Sequence, residues 1–158
     1  MLVPDCCHLS GMTPTATGIA ESALYVDDLD RALDFYLKLL GSEVIHHDDR
    51  FCALRVAEEQ MLLLFKRGAT REDAVLPFGT IISHDGSGPL HICFGMAAGE
   101  TGAWEARLKE LGIPVESRVD WPNGASSLYF RDPDGHALEL ASPGLWHDFG
   151  KVVAAAKR

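Results

Sequence analysis

Apolar and polar positions alternate between residues 19 and 26, which predicts a strand with Leu24 and Val26 on one face and Glu21, Ala23 and Tyr25 on the other. Asp28 then offers a helix N-cap. Leu29, Leu33, Tyr36, Leu37 and Leu40 recur at helical spacing, and Gly41 ends the run. Short strands are expected at about 43–47, 51–56 and 60–66, with His46, His47, Asp48 and Asp49 marking a turn between two of them. Residues 67–88 are rich in Gly, Pro, Ser and Asp and read as a long connection, of a length that tends to be functional or to cross between units.

The pattern then returns. Residues 90–96 alternate with Ile92, Phe94 and Met96 on one face, and a helix is predicted over 100–111 with Trp104, Leu108 and Leu111 along one stripe. Strands follow near 114–119, 126–131 and 136–141. The helix exits match, Leu-Gly at 40–41 and again at 111–112. Strand–helix–three strands thus occurs twice, an internal repeat that is weak by identity. We therefore expect an α+β fold of two βαβββ modules, the first over 19–66 and the second over 89–143. Residues 1–18 form a mobile leader, with Met12 an alternative start, and the tail 144–158 carries Trp146, Phe149, Val152 and Val153 on a short helix against the body or a partner chain.

Composition narrows the partners. The 158 residues carry a net charge of −9, which disfavours nucleic acid and anionic membranes, both of which need clustered Lys and Arg. With 47% apolar and 23% charged residues the chain resembles an ordinary soluble domain, and it has no apolar stretch long enough to span a membrane. Cys6 and Cys7 are adjacent, and Cys52 and Cys93 sit in apolar runs. Neither pair suggests a disulfide framework or a metal knuckle, so a reducing cytoplasm fits best.

Candidate chemistry comes from position within the repeat. Glu21 opens the polar face of the first strand of module one, and His91 holds the matching place in module two. In the last strand Glu139 points away from Leu138 and Leu140. If the modules face each other across a cleft, these two carboxylates and one imidazole suit Mn, Fe, Ni, Co or Zn. Strand alternation adds Tyr25, Cys93, Ser127 and Tyr129 as substrate-binding candidates. Trp121 and Asn123 lie in a loop that could overhang the cleft, and His84 in the connection is either an acid–base group or a solvated loop histidine.

Three stretches carry a family resemblance: Glu21 to Tyr36 (ESALYVDDLDRALDFY), Gly88 to Ile92 (GPLHI), and Tyr129 to Leu140 (YFRDPDGHALEL). They resemble the opening, the start of the second module and the closing hairpin of the vicinal-oxygen-chelate superfamily, which includes glyoxalases, bleomycin-resistance proteins and extradiol dioxygenases. Asp-Pro-Asp-Gly in the last stretch is also strong turn chemistry. The resemblance implies the glyoxalase/bleomycin resistance/dihydroxybiphenyl dioxygenase-like fold over residues 19–143. It also implies metal ligands at Glu21, His91 and Glu139, with apolar Leu63 at the fourth position.

Three ligands would leave coordination positions open, the catalytic arrangement. Three activities are therefore in view. The first is a metal-dependent glyoxalase-like lyase or isomerase acting on a small vicinal-oxygen substrate by enediolate chemistry, with Glu139 or Glu21 moving the proton. The others are a non-catalytic small-molecule binding protein and an Fe(II) ring-cleaving dioxygenase. The resemblance also implies a homodimer.

Overall fold

The computed structural model describes residues 13–156. The leader before Thr13, with Cys6, Cys7 and Met12, lies outside the described residues. The first module comprises β1 (Glu21–Val26), α1 (Leu29–Leu40), β2 (Glu43–His47), β3 (Phe51–Ala57) and β4 (Gln60–Lys66). The second comprises β7 (His91–Gly95), α2 (Thr101–Glu110), β8 (Ser117–Asp120), β9 (Ser126–Arg131) and β10 (Ala137–Ala141). Between them the connection folds a hairpin, β5 (Ala74–Leu76) and β6 (Gly79–Ile81), and α3 (Phe149–Ala156) closes the chain. That hairpin is absent from the sequence reading, because its three-residue strands are too short to show a period.

The two modules build equivalent sheets, β1-β4-β3-β2 and β7-β10-β9-β8. In each, the first strand pairs parallel with the last and the remaining pairs are antiparallel. The expected α+β architecture of two βαβββ units is the one observed. Helix α1 starts where the Asp28 side chain accepts the Arg31 backbone N–H, and it stops at Gly41, whose left-handed backbone (φ 65°) favours glycine.

Alternation decides which face of each sheet is buried. Leu24, Val26, Leu54, Leu62 and Leu64 from the first sheet meet Phe94, Leu128, Phe130, Leu138 and Leu140 from the second in one core, with Tyr36 and Leu108 from the helices. The opposite faces stay open. Glu21, Ala23, Met61, Leu63 and Phe65 line one, and His91, Cys93 and Tyr129 line the other; all are half-buried or exposed.

A turn at the end of β9 locks the modules together. Tyr36, fully buried in α1, donates its hydroxyl to Asp132 Oδ2 (2.9 Å). Burial and the adjacent Asp132 charge push this phenol well up, so it remains a donor. Asp132 Oδ1 accepts the backbone N–H groups of Asp134 and His136. Asp134 in turn accepts the Asp27 N–H (2.8 Å) and pairs with Arg31 (3.3 Å). His136 is completely buried: its Nδ1 accepts the Leu90 N–H, and its Nε2 donates to the Tyr25 carbonyl at 2.9 Å.

Removing one member of this clamp strands a buried polar partner, a loss of about 1–3 kcal/mol. Tyr36→Phe and His136→Ala should each lower Tm by several degrees in thermal unfolding followed by circular dichroism. A Tm for Tyr36→Phe equal to that of the unchanged protein would show that the Asp132 bond contributes nothing.

Candidate metal and substrate site

β7 and β10 are parallel neighbours with Cys93 opposite Glu139, and β9 adds Tyr129 on the other side of Glu139. Side chains on one face of neighbouring strands stand about 5 Å apart. The register therefore gathers His91, Cys93, Glu139 and Tyr129 on the open face of the second sheet. The His91 ring lies nearly parallel to that of Tyr129, 6.5 Å away.

His91 and Glu139 have the features of an ion-binding pair. His91 Nδ1 sits 3.0 Å from the Ala137 carbonyl, an acceptor, so Nδ1 carries the proton. In the neutral ring this leaves the Nε2 lone pair 3.5 Å from Glu139 Oε2. Two acceptors facing each other at that distance call for a cation or proton between them. Glu139 is only 5% exposed, and its second oxygen, Oε1, is buried without a hydrogen-bond partner. A metal would satisfy both groups, and bonds of roughly 2.0–2.2 Å bring two ligands to about this separation. Anchoring of the far ring nitrogen by a carbonyl is the usual support for a ligating histidine.

Glu21 is not part of this cluster. It sits at the exposed start of β1, opposite Met61, in the wall of a cleft of about 480 Å³ that also touches Cys93, Met61, Trp104 and Leu140. Among the described residues, no three His, Cys, Asp or Glu side chains of one chain come close enough to hold an ion. The expectation that Glu21 and His91 meet across a cleft within the chain is corrected accordingly. The modules are joined through their buried faces and the clamp, which leaves both open faces turned to solvent. Leu63 lies between Ala23 and Ala53 in the register and is apolar, as expected.

Other candidates divide. Ser127 is fully buried and accepts a hydrogen bond from Trp121 Nε1 (2.9 Å). Trp121 itself packs against Phe149 of α3, so it braces the tail. Asn123 donates from Nδ2 to the carbonyls of Gly144, Leu145 and His147, and its Oδ1 accepts the Ala125 N–H, so its amide is taken up by structure. Neither overhangs an open cleft. Tyr25 bonds His84 (2.7 Å), which is half-buried on the face of the first sheet and not a freely solvated loop residue. The sequence reading missed this docking of His84. Its signal was Gly86 two residues on, where a Cβ would lie 2.3 Å from the Tyr25 ring.

Comparison with known proteins agrees with the fold. The family model of the Glyoxalase/Bleomycin resistance protein/Dioxygenase superfamily matches residues 18–140. A crystal structure of lactoylglutathione lyase from Agrobacterium tumefaciens superposes with a TM-score of 0.77 at 36% identity, covering 85% of this chain and 99% of that one. Catechol-2,3-dioxygenase of Bacillus subtilis is 29% identical over 125 residues, 78% of this chain and 41% of that protein. Metallothiol transferase FosB of Bacillus licheniformis is 39% identical over 51 residues, 32% of this chain and 33% of that protein. The matches thus span less than half the length of either curated relative.

The charge of Glu139 should be readable through its neighbour. Cys93 is exposed as a residue, but desolvation of its sulfur against the sheet first, and the Glu139 carboxylate second, push the thiol up to about 12. At pH 7.5 Cys93 should alkylate with iodoacetamide at least tenfold more slowly than a free thiol, since thiolate is the reactive form. Glu139→Gln should raise the rate. Site-resolved mass spectrometry would check both, and a Cys93 as fast as glutathione would contradict the arrangement.

Proposed function

The chain belongs to the Glyoxalase/Bleomycin resistance protein/Dioxygenase superfamily, and we propose that it is a metal-dependent lyase or isomerase of glyoxalase type acting on a small substrate with vicinal oxygens. The observation that carries this reading is the His91–Glu139 pair, with the Nε2 lone pair aimed at one carboxylate oxygen and the other oxygen buried and unpartnered. We assign His91 and Glu139 as metal ligands from one chain and Glu21 as the third, from a second copy. The ion is one of Mn, Fe, Ni, Co or Zn. When bound it supplies Lewis-acid polarisation of two neighbouring substrate oxygens.

A homodimer is part of the proposal. Glu21 stands on an open sheet face, and Val75, Phe78, Ile82 and Trp146 expose large apolar surfaces at 74–87%. Apolar groups exposed to that extent favour association. Among the described residues no helix is long and apolar enough to cross a membrane, and Cys52 and Cys93 are free thiols, which suits a reducing cytoplasm.

The residues then take distinct roles. Tyr129 stands beside Glu139, with its phenol raised by burial and by that carboxylate, so it keeps its proton at neutral pH and can donate to a substrate oxygen. Whichever of Glu21 and Glu139 is released from the ion when substrate binds would take a proton from the substrate carbon and return it to the neighbouring one, as a general base. Leu63 supplies an apolar wall. A site that only stores an ion gains from a fourth ligand, whereas an apolar fourth position leaves room for substrate and strengthens local electrostatics.

Elemental analysis of purified protein should find one divalent metal per chain, with His91→Ala reducing it at least tenfold. Co-expression distinguishes a shared site from one within a chain. Glu21→Ala and His91→Ala should each bind little metal alone. Mixed dimers should recover one site, because one chain's Glu21 meets the other's His91. If mixing restores nothing while the unchanged protein binds metal, the site lies within one chain.

Glu139→Gln should remove turnover of hemithioacetal and related vicinal-oxygen substrates. If the metal-loaded protein turns over no member of a broad panel yet binds one tightly, it is a binding protein and the lyase reading falls.

A further inference from the structure

The open face of the second sheet continues past Glu139. His91, Cys93 and Gly95 alternate along β7, with Gly95 opposite Ala141 of β10 and Ala141 opposite Ser127 of β9. At about 3.3 Å per residue, this last row stands roughly 7 Å beyond Cys93 and Glu139. There the side chains shrink to a hydrogen, a methyl and a hydroxyl that Trp121 already engages.

The chain leaving β10 turns back over this row. Asn123 holds the turn by donating to the carbonyls of Gly144 and His147 (3.0 and 3.1 Å), and the His147 N–H donates to the Gly144 carbonyl. Leu145 is buried against Ala125 and Ala141. The Trp146 ring lies 4.8 Å from Phe149, which lies 5.5 Å from Trp121. Asp148 follows with φ 55°, the one left-handed non-glycine residue among those described. A conformation of that kind persists where its surroundings fix it. The turn is a held wall and not a loose end.

Between this wall and the sheet lies a pocket of about 370 Å³, with Cys93, Gly95 and Ala141 beneath it and Leu145 and Trp146 beside it. Among the described residues, no Asp, Glu, Lys or Arg lines it. Gly95 gives the pocket its depth. A Cβ added there would meet no atom within 4 Å, and the Gly95 backbone lies outside the left-handed region. The backbone therefore does not require glycine at this position. A glycine inside a strand often marks the close approach of a ligand.

We infer that the tail closes this end of the polar face into a pocket for a short aliphatic chain carried by the substrate, with Gly95 and Trp146 as the residues that set which chains fit. The floor offers neither a charge nor a ring face, and the indole is already packed on Phe149, so a narrow flexible chain suits it better than a flat ring. The inference rests on the proposed function in one respect: the reacting end of the same molecule would sit at His91 and Glu139, one row away. Burying a methylene is worth roughly fourfold in affinity. Four added carbons that reach even halfway into the pocket therefore give at least tenfold.

Alkyl hydroxamates test this, because each carries two neighbouring oxygens and a tail of chosen length. In calorimetric titration of the full chain loaded with Zn, hexanohydroxamate should bind at least tenfold more tightly than acetohydroxamate and more tightly than benzohydroxamate. Gly95→Val should remove this gain, so that the hexano and aceto compounds bind within about twofold of each other, with metal content preserved. Gly95→Ala, a smaller plug, should remove part of it, and Trp146→Ala should cut it about fivefold.

A second measurement needs no metal. In the chelator-treated protein, 1-hexanol should shift the methyl resonances of Ala141 and Leu145 and the indole N–H of Trp146, and Gly95→Val should abolish those shifts. Such shifts in a protein that takes up no metal would sink the metal reading and keep this one. Metal uptake with acetohydroxamate and hexanohydroxamate bound equally, a chain-length gain that survives Gly95→Val, or benzohydroxamate bound most tightly would overturn this one alone.

Discussion

Everything in this molecule is arranged around the turn at residues 132–136. Asp132 is buried and acidic, and such a group is tolerated only when its oxygens are fully engaged. Here one oxygen organises its own turn through two backbone N–H groups and the other accepts from Tyr36 of the opposite module. His136 extends the same logic, with one ring nitrogen for the start of β7 and the other for the end of β1. These bonds tie together two sheets that share a core but no strand pairing. With the buried faces committed to that core, the opposite faces of both sheets are left open.

The two open faces differ in chemistry although the modules share a topology. The second sheet presents an imidazole, a thiol, a carboxylate and a phenol in adjacent registers. The first presents alanine, leucine and aromatic rings, with one carboxylate at its edge. On the proposed function, a divalent ion on the polar face would need few ligands from the apolar one. Duplication of a module therefore need not duplicate its role: the second sheet can hold charge while the first excludes water.

Much of this was legible from residue order. The two βαβββ units, the cap at Asp28, the stop at Gly41 and the faces of β1, β7 and β10 follow from local periodicity and turn chemistry, which are short-range. His91 and Glu139 were both legible as polar positions on apolar strands, but their direct approach depends on the parallel pairing of β7 with β10, which the order of residues did not state. What could not be read was anything set by distance between modules. Glu21 occupies the matching position in the repeat, yet matching positions meet only if the modules pair through those faces, and the core joins them through the others. Trp121 and Asn123 looked like loop residues free to reach a ligand. Their partners, Ser127, Phe149 and the carbonyls of residues 144–147, depend on where the tail docks, which no local pattern specifies. His84 failed for the same reason in the opposite direction. A histidine beside Asp and Gly in a long loop reads as solvated, and only its contact with Tyr25 removes it from water.

Leu63 shows how one departure from a repeat can follow from physics. Its place on β4 corresponds by module symmetry to that of Glu139 on β10, next to the first strand in each sheet. A carboxylate there would stand among Ala23, Ala53 and the Phe65 ring row and would need its own counter-charge, since burying an unpaired charge is costly. Leucine avoids that cost and keeps the aromatic face continuous down toward Glu21.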